Sequence, residues 1–141
     1  MRLNAFVDSN VFIFSFEYPD SNSRKIIEYL NKGKIEVVIC EKVIREVVRY
    51  FEVHHTPDLA RLFRRYLLES CIVIPRDEVS SKMDELRGKI KEKDLEQLSV
   101  VKKYGLKYLI SYDRDFKDFD EYVTPREFVE ILGLKPYEME Y

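Results

Sequence analysis

Tryptophan is absent from this chain of 141 residues, and glycine (4), proline (5), cysteine (2) and histidine (2) are scarce. Each scarcity removes a class of explanation. So little glycine and proline excludes low complexity and long flexible linkers. Cys40 and Cys71 lie far apart at the boundaries of apolar runs, no C-x-x-C occurs, and His54 and His55 are adjacent. No zinc-binding pattern follows from these, and the thiols are expected to be buried and reduced. The first apolar stretch is interrupted by Asp8, so MRLNAFVDSN does not read as a signal peptide. No apolar run approaches the roughly 20 residues of a membrane span. A formal net charge of -2 provides no bulk attraction for polyanions, which would need local basic patches or bridging metal ions. A cytoplasmic protein without a membrane partner is expected.

What the chain does contain is 45% hydrophobic and 35% charged residues, a balance that suits one globular domain over residues 1–141 with a real core. Apolar, β-branched runs predict strands at 3–7, 36–40, 71–75 and 107–110, with a short fifth at 121–123. Ser21 or Ser23 can cap a helix to about residue 31, with Ile26, Ile27 and Leu30 as its stripe. Ile44, Val47, Val48 and Phe51 repeat at helical spacing, and Thr56-Pro57 opens another helix through Leu59, Leu62, Phe63 and Tyr66. A polar helix is expected over 78–91 and a further one over 94–104, stopped by Gly105. Thr124-Pro125-Arg126-Glu127 is a capping box opening the last helix, through Phe128, Ile131 and Leu132. Strands alternating with helices imply an α/β sandwich around a mostly parallel sheet of four to five strands.

Two of these strands deliver a carboxylate just past their C-terminal ends, Asp8 after the first and Asp113 after the fourth. In an open α/β sheet that edge is where ligands bind. Glu46 lies in the first turns of the helix after the second strand. Asp94 opens the helix that leads into the fourth strand, and reaches the same edge only if the polar helix before it turns back. Acids gathered without basic partners repel one another and suggest a hard divalent cation. Each also has an ordinary role: Asp8 as an N-cap, Asp94 in a capping box with Gln97, Glu46 as a solvated helix residue, Asp113 and Asp115 as turn residues. Singly, those roles suffice; four acids at strand ends and helix starts of one sheet are harder to dismiss.

The segments FVDSNVFI (6–13), CEKVIREVV (40–48), KDLEQLSVVKKYGLKYLISYDRDF (93–116) and VTPREFVEIL (123–132) resemble the PIN domain, the nuclease fold of VapC-type toxins and RNA-processing endonucleases. The resemblance covers essentially the whole chain and implies a three-layer α/β/α sandwich. By it, Asp8, Glu46, Asp94 and Asp113 match the family's acidic quartet, the catalytic residues that hold one or two Mg²⁺ or Mn²⁺ ions. Asn10 matches the polar residue that helps orient the first acid, Ser111 the small hydroxyl before the fourth, and Asp115 an auxiliary acid. Ser99, Val100 and Val101 stand where relatives commonly carry alanines, a departure that concerns packing.

The resemblance thus implies a metal-dependent endoribonuclease that hydrolyses RNA through metal-activated water, leaving 5′-phosphate and 3′-hydroxyl ends. It is compatible with a toxin neutralised by an antitoxin and with a stand-alone processing nuclease, and it implies a homodimer. Oxygen ligands suit Mg²⁺ and Mn²⁺, and such chemistry needs no Ser, Cys or His nucleophile. Lys42 and Arg49 share the helix face of Glu46 and are the expected phosphate contacts. Arg61, Arg64 and Arg65, and the lysines at 89, 91, 93, 102 and 103, are more simply read as solvated helix faces. The alternative is a non-catalytic RNA-binding or assembly module on the same fold. A phosphatase of the D-x-D type would need an acid where Asn10 stands.

Overall fold

The computed structural model describes residues 2–138. Its sheet comprises β1 (Leu3–Val7), β2 (Ile35–Cys40), β3 (Ile72–Ile74), β4 (Leu109–Ile110) and β5 (Tyr122–Val123). They lie in the order β3-β2-β1-β4-β5, and every pairing is parallel. The chain builds outward from β1 to β3, then returns to lay β4 and β5 on the other side of β1. The strand order therefore reverses at β1, and the crevice above the β1 and β4 carboxyl ends is the switch point where such sheets bind ligands. Ala5, Phe6 and Val7 of β1, and Val37, Ile39 and Cys40 of β2, are buried. This is the unbroken apolar reading of a strand covered on both faces.

The helices are α1 (Ser9–Glu17), α2 (Asn22–Asn31), α3 (Glu41–His54), α4 (Pro57–Ser70), α5 (Arg76–Leu86), α6 (Glu92–Tyr104) and α7 (Pro125–Ile131). Crossovers of one hand place α1 to α4 on one face and α5 and α6 on the other, and α7 packs on α2. The expected three-layer α/β/α architecture is the one observed. Ser21 caps α2 by accepting the Arg24 N–H. Thr124 and Glu127 make both bonds of the α7 capping box. His54 ends α3, and His55 just beyond it meets the Glu17 carboxylate. Both cysteines are free, with Cys40 buried. Among the described residues, no helix is long and apolar enough to cross a membrane.

Three differences from the sequence expectation have physical causes. Helix α1 forms from SNVFIFSFE, which has no amphipathic period because α2 and α3 both pack against it. The expected polar helix 78–91 is instead α5, ending at Leu86, and a turn through Gly88 (φ +92°) reverses the chain into α6. This break is what lets Asp94 reach the carboxyl edge. Helix α6 begins at Glu92 with Lys91 as its N-cap residue, so Asp94 lies inside the first turn rather than capping it. The expected capping box with Gln97 does not form, and the buried Gln97 Oε1 has no hydrogen-bond partner.

Phe51 ties the helices of one face together. It is fully buried, stacks on Phe63 of α4 at 4.0 Å and meets Phe16 of α1 edge-on at 5.1 Å. Helix α3, which carries Glu46, is anchored by this cluster. By contrast, Leu62 of the expected α4 stripe is 61% exposed, on the rim of an apolar groove between α1, α2 and α4. Phe51→Ala is expected to cost about 3–5 kcal/mol of stability, and Leu62→Ala less than about 1 kcal/mol. Denaturant unfolding of the two variants checks this, and equal losses would contradict the packing described.

Candidate active site

The carboxyl edge is assembled around one serine hydroxyl. Ser111, directly after β4, is fully buried. Its Oγ accepts from Asn10 Nδ2 at 3.1 Å and from the Asp113 N–H at 2.9 Å. With both lone pairs used, its proton is directed to Asp8 Oδ2 at 2.7 Å. The other Asp8 oxygen accepts the Ser9 N–H at 2.9 Å. Asn10 also accepts the Tyr112 N–H at 3.2 Å, so it acts on Asp8 through Ser111. One hydroxyl thus joins the residues after β1 to those after β4, across the switch point.

Asp113 divides its two oxygens between structure and site. Oδ1 accepts the Asp115 N–H at 2.9 Å and caps a 3-10 turn over Arg114–Phe116. Oδ2 faces Lys93, whose ammonium donates to it at 2.7 Å and to Asp94 Oδ2 at 2.8 Å. One oxygen from each of Asp94, Asp113 and Asp115 lies within 4.8 Å of the others. Asp115, expected as an auxiliary acid, is therefore part of the tight cluster. Glu46 is more peripheral, exposed on α3 and linked to the Asp8 loop by the Ser9 hydroxyl at 3.1 Å.

The electrostatics follow from burial and crowding. Burial pushes the Asp8 carboxyl up to about 6, the charges of Glu46 and Asp94 add to the rise, and the Ser111 and Ser9 bonds oppose it. Burial also raises Asp94, reinforced by Asp113 and Asp115 and opposed by its bond to Lys93. Asp115 is held below the usual carboxylate range by its contacts with Lys93 and Lys91. Desolvation works against the charged form of Lys93, but its bonds to Asp113, Asp94 and Asp115 outweigh that and hold its proton firmly.

The expected phosphate contacts have different fates. Lys42 extends over α6, where its ammonium donates to the Lys93 carbonyl, beside the acids. Arg49 is exposed on α3, one turn beyond Glu46. Three residues with a part in this edge were not singled out by sequence reasoning. Ser9 carries the bond to Glu46. Lys93 bridges the acids, although its sequence neighbourhood reads as an ordinary solvated face. Glu96 is 1% exposed, accepts the Lys42 N–H at 3.2 Å and an Arg76 Nη1 bond at 3.0 Å. It thereby fastens the N-termini of α3 and α5 to α6, in place of the side-chain cap that Cys40 does not give α3. A carboxylate between Leu95 and Leu98 on a buried helix was the available signal for it.

An oxygen-only donor set with two or three closely spaced carboxylates fits a hard divalent cation. Asp94, Asp113 and Asp115 are placed to hold one, with Asp8 and Glu46 adjoining. Without metal, Asp8 binds its proton more tightly folded than unfolded, so its contribution to stability is greatest below pH about 4 and is lost as the pH rises through about 6. In EDTA, wild type should therefore lose about 3 kcal/mol relative to Asp8→Asn across that interval. Unfolding of both proteins at several pH values measures it, and a constant difference would contradict the burial of an ionisable Asp8.

A sequence profile of the PIN domain matches residues 5–122. No curated protein sequence matches the chain significantly. Among solved structures, a toxin–antitoxin complex from Klebsiella pneumoniae superposes with a TM-score of 0.68 and 22% identity, over 86% of this chain and 97% of that one. VapBC2 from Rickettsia felis, bound to a promoter DNA fragment, gives a TM-score of 0.67 at 14% identity, covering 86% and 97% of the two chains. VapC20 of Mycobacterium tuberculosis, described as a sarcin-ricin-loop-cleaving toxin, gives 0.62 at 15% identity, covering 81% and 93%. At these identities the shared property is the fold, and the profile match across most of the sequence supplies the family: the chain belongs to the PIN-domain family.

Proposed function

We propose that this PIN domain is a metal-dependent endoribonuclease that hydrolyses RNA phosphodiester bonds, and that Asp8, Glu46, Asp94 and Asp113 are its catalytic and metal-holding acids. The observation that carries this reading is the convergence of Asp94, Asp113 and Asp115 oxygens within 4.8 Å, tied to Asp8 through Ser111 at the sheet's switch point. A bound Mg²⁺ or Mn²⁺ would supply Lewis acidity toward phosphate oxygens and acidify a water molecule.

The chain's own residues hold and orient. Ser111 and the Ser9 N–H fix the Asp8 carboxylate, each bonding one oxygen, so that its remaining lone pairs are available to a ligand. The 3-10 turn fixes Asp113 through Oδ1 and leaves Oδ2 toward the site. Asn10 orients Ser111, and Asp115 adds a third acid beside Asp94 and Asp113. Lys42, next to the cluster, and Arg49, further along α3, are the proposed contacts to flanking phosphates. The solved structures of toxin–antitoxin complexes support a toxin with an antitoxin partner. We further propose that it acts in the cytoplasm as a homodimer.

Cleavage of a mixed RNA pool by the purified protein in Mn²⁺ or Mg²⁺ tests the activity. We expect cuts that EDTA abolishes, a loss of at least about 100-fold in Asp8→Asn, and a loss of about 10–100-fold in Ser111→Ala, whose hydroxyl only supports the ligands. Equal cleavage by wild type and Asp8→Asn would contradict the assignment. An inactive wild type that still binds RNA would favour the non-catalytic module.

A further inference from the structure

We propose that Lys93 is a built-in rival of the metal: its ammonium group holds the carboxylate cluster until a divalent cation displaces it, and so sets how much cation the site requires. This rests on reading the acids as metal ligands. Lys93 Nζ lies 2.7 Å from Asp113 Oδ2, 2.8 Å from Asp94 Oδ2 and 3.1 Å from Asp115 Oδ2. An ammonium has three N–H donors and no acceptor; here it donates to Asp94 and Asp113 and forms an ion pair with Asp115. The acids it bridges are the same three whose oxygens lie within 4.8 Å of one another. A hard cation drawn to those oxygens would stand within a few ångström of the ammonium, where two positive charges repel strongly.

The side chain is also built to leave. Its backbone is held in the first turn of α6, and its carbonyl accepts a bond from the Lys42 ammonium. The side chain itself remains 54% exposed, and its four-carbon stem allows the head to swing into water. Lys91 provides the contrast. It is 67% exposed and reaches Asp115 alone, at 3.2 Å. Both lysines place a positive charge near the cluster, but only Lys93 is paired with all three acids.

Titration calorimetry of the full chain with Mn²⁺, comparing wild type, Lys93→Gln, Lys91→Gln and the charge-keeping Lys93→Arg, separates contact from general repulsion. Lys93→Gln is expected to bind Mn²⁺ at least about tenfold more tightly than wild type, with Lys91→Gln and Lys93→Arg within about threefold of it. Thermal melts in EDTA verify that each variant is folded. The inference is overturned when Lys93→Gln binds no more tightly than Lys91→Gln. In that case, Mn²⁺ binding by wild type that Asp8→Asn weakens leaves the metal-site reading standing. Failure of every protein to bind Mn²⁺ overturns both.

Discussion

Like charges gathered at one sheet edge are the constraint on which this molecule's organisation depends. Asp94, Asp113 and Asp115 converge at the end of β4, Asp8 is tied to them through Ser111 with Glu46 alongside, and Asp8 and Asp94 are buried. Burying carboxylates costs free energy, which for Asp94 the Lys93 ammonium only partly offsets, and here the cost is visible as the raised proton affinity of Asp8 and Asp94. A fold selected for stability alone has little reason to keep such a cluster. Strong perturbation by burial and neighbouring charge, in a crevice at a topological switch point, is what a functional site looks like in physical terms.

Much of the surrounding structure serves to hold those acids in place. Ser111 joins the β1 and β4 ends through bonds to Asn10 and Asp8, and also accepts the Asp113 N–H. Glu96 locks α6 to the starts of α3 and α5, so Asp94 and Glu46 ride on helices fixed to each other. The Phe51 cluster then fastens α3 to α1 and α4. Side chains presented on rigid elements and supported by a second layer of bonds are what the proposed cation site requires.

The elements legible from sequence were those whose residues carry their own signal. The β-branched run of β2, the period of α3 and the Thr124 capping box all express local preferences, and the structure has them where expected. Helix α1 was not legible, because its aromatic residues are buried by neighbours on several sides and leave no polar face. The 78–91 region differs at its end: its composition suits a helix throughout, but the helix stops at Leu86 and the chain turns through Gly88. Within the candidate site, Asp8 and Asp113 follow strands and could be placed on the edge from topology. Asp94 could be placed there only on the condition that the chain turns back before its helix, and the turn through Gly88 meets that condition. Lys93 and Glu96 were hidden for a different reason. What each bonds is decided by long-range contacts to Asp113, Arg76 and the α3 N-terminus, which no local pattern in α6 encodes.

We read Asp94, Asp113 and Asp115, with Asp8 and Glu46 adjoining, as one cation site. The most direct measurement is a crystal structure of the protein grown with Mn²⁺, read at the manganese absorption edge. Such a site should show an anomalous peak bonded to Asp94 and Asp113 oxygens on the β4 side of the crevice. An ordered edge with no peak, or manganese bound only at acids elsewhere on the surface, would contradict it.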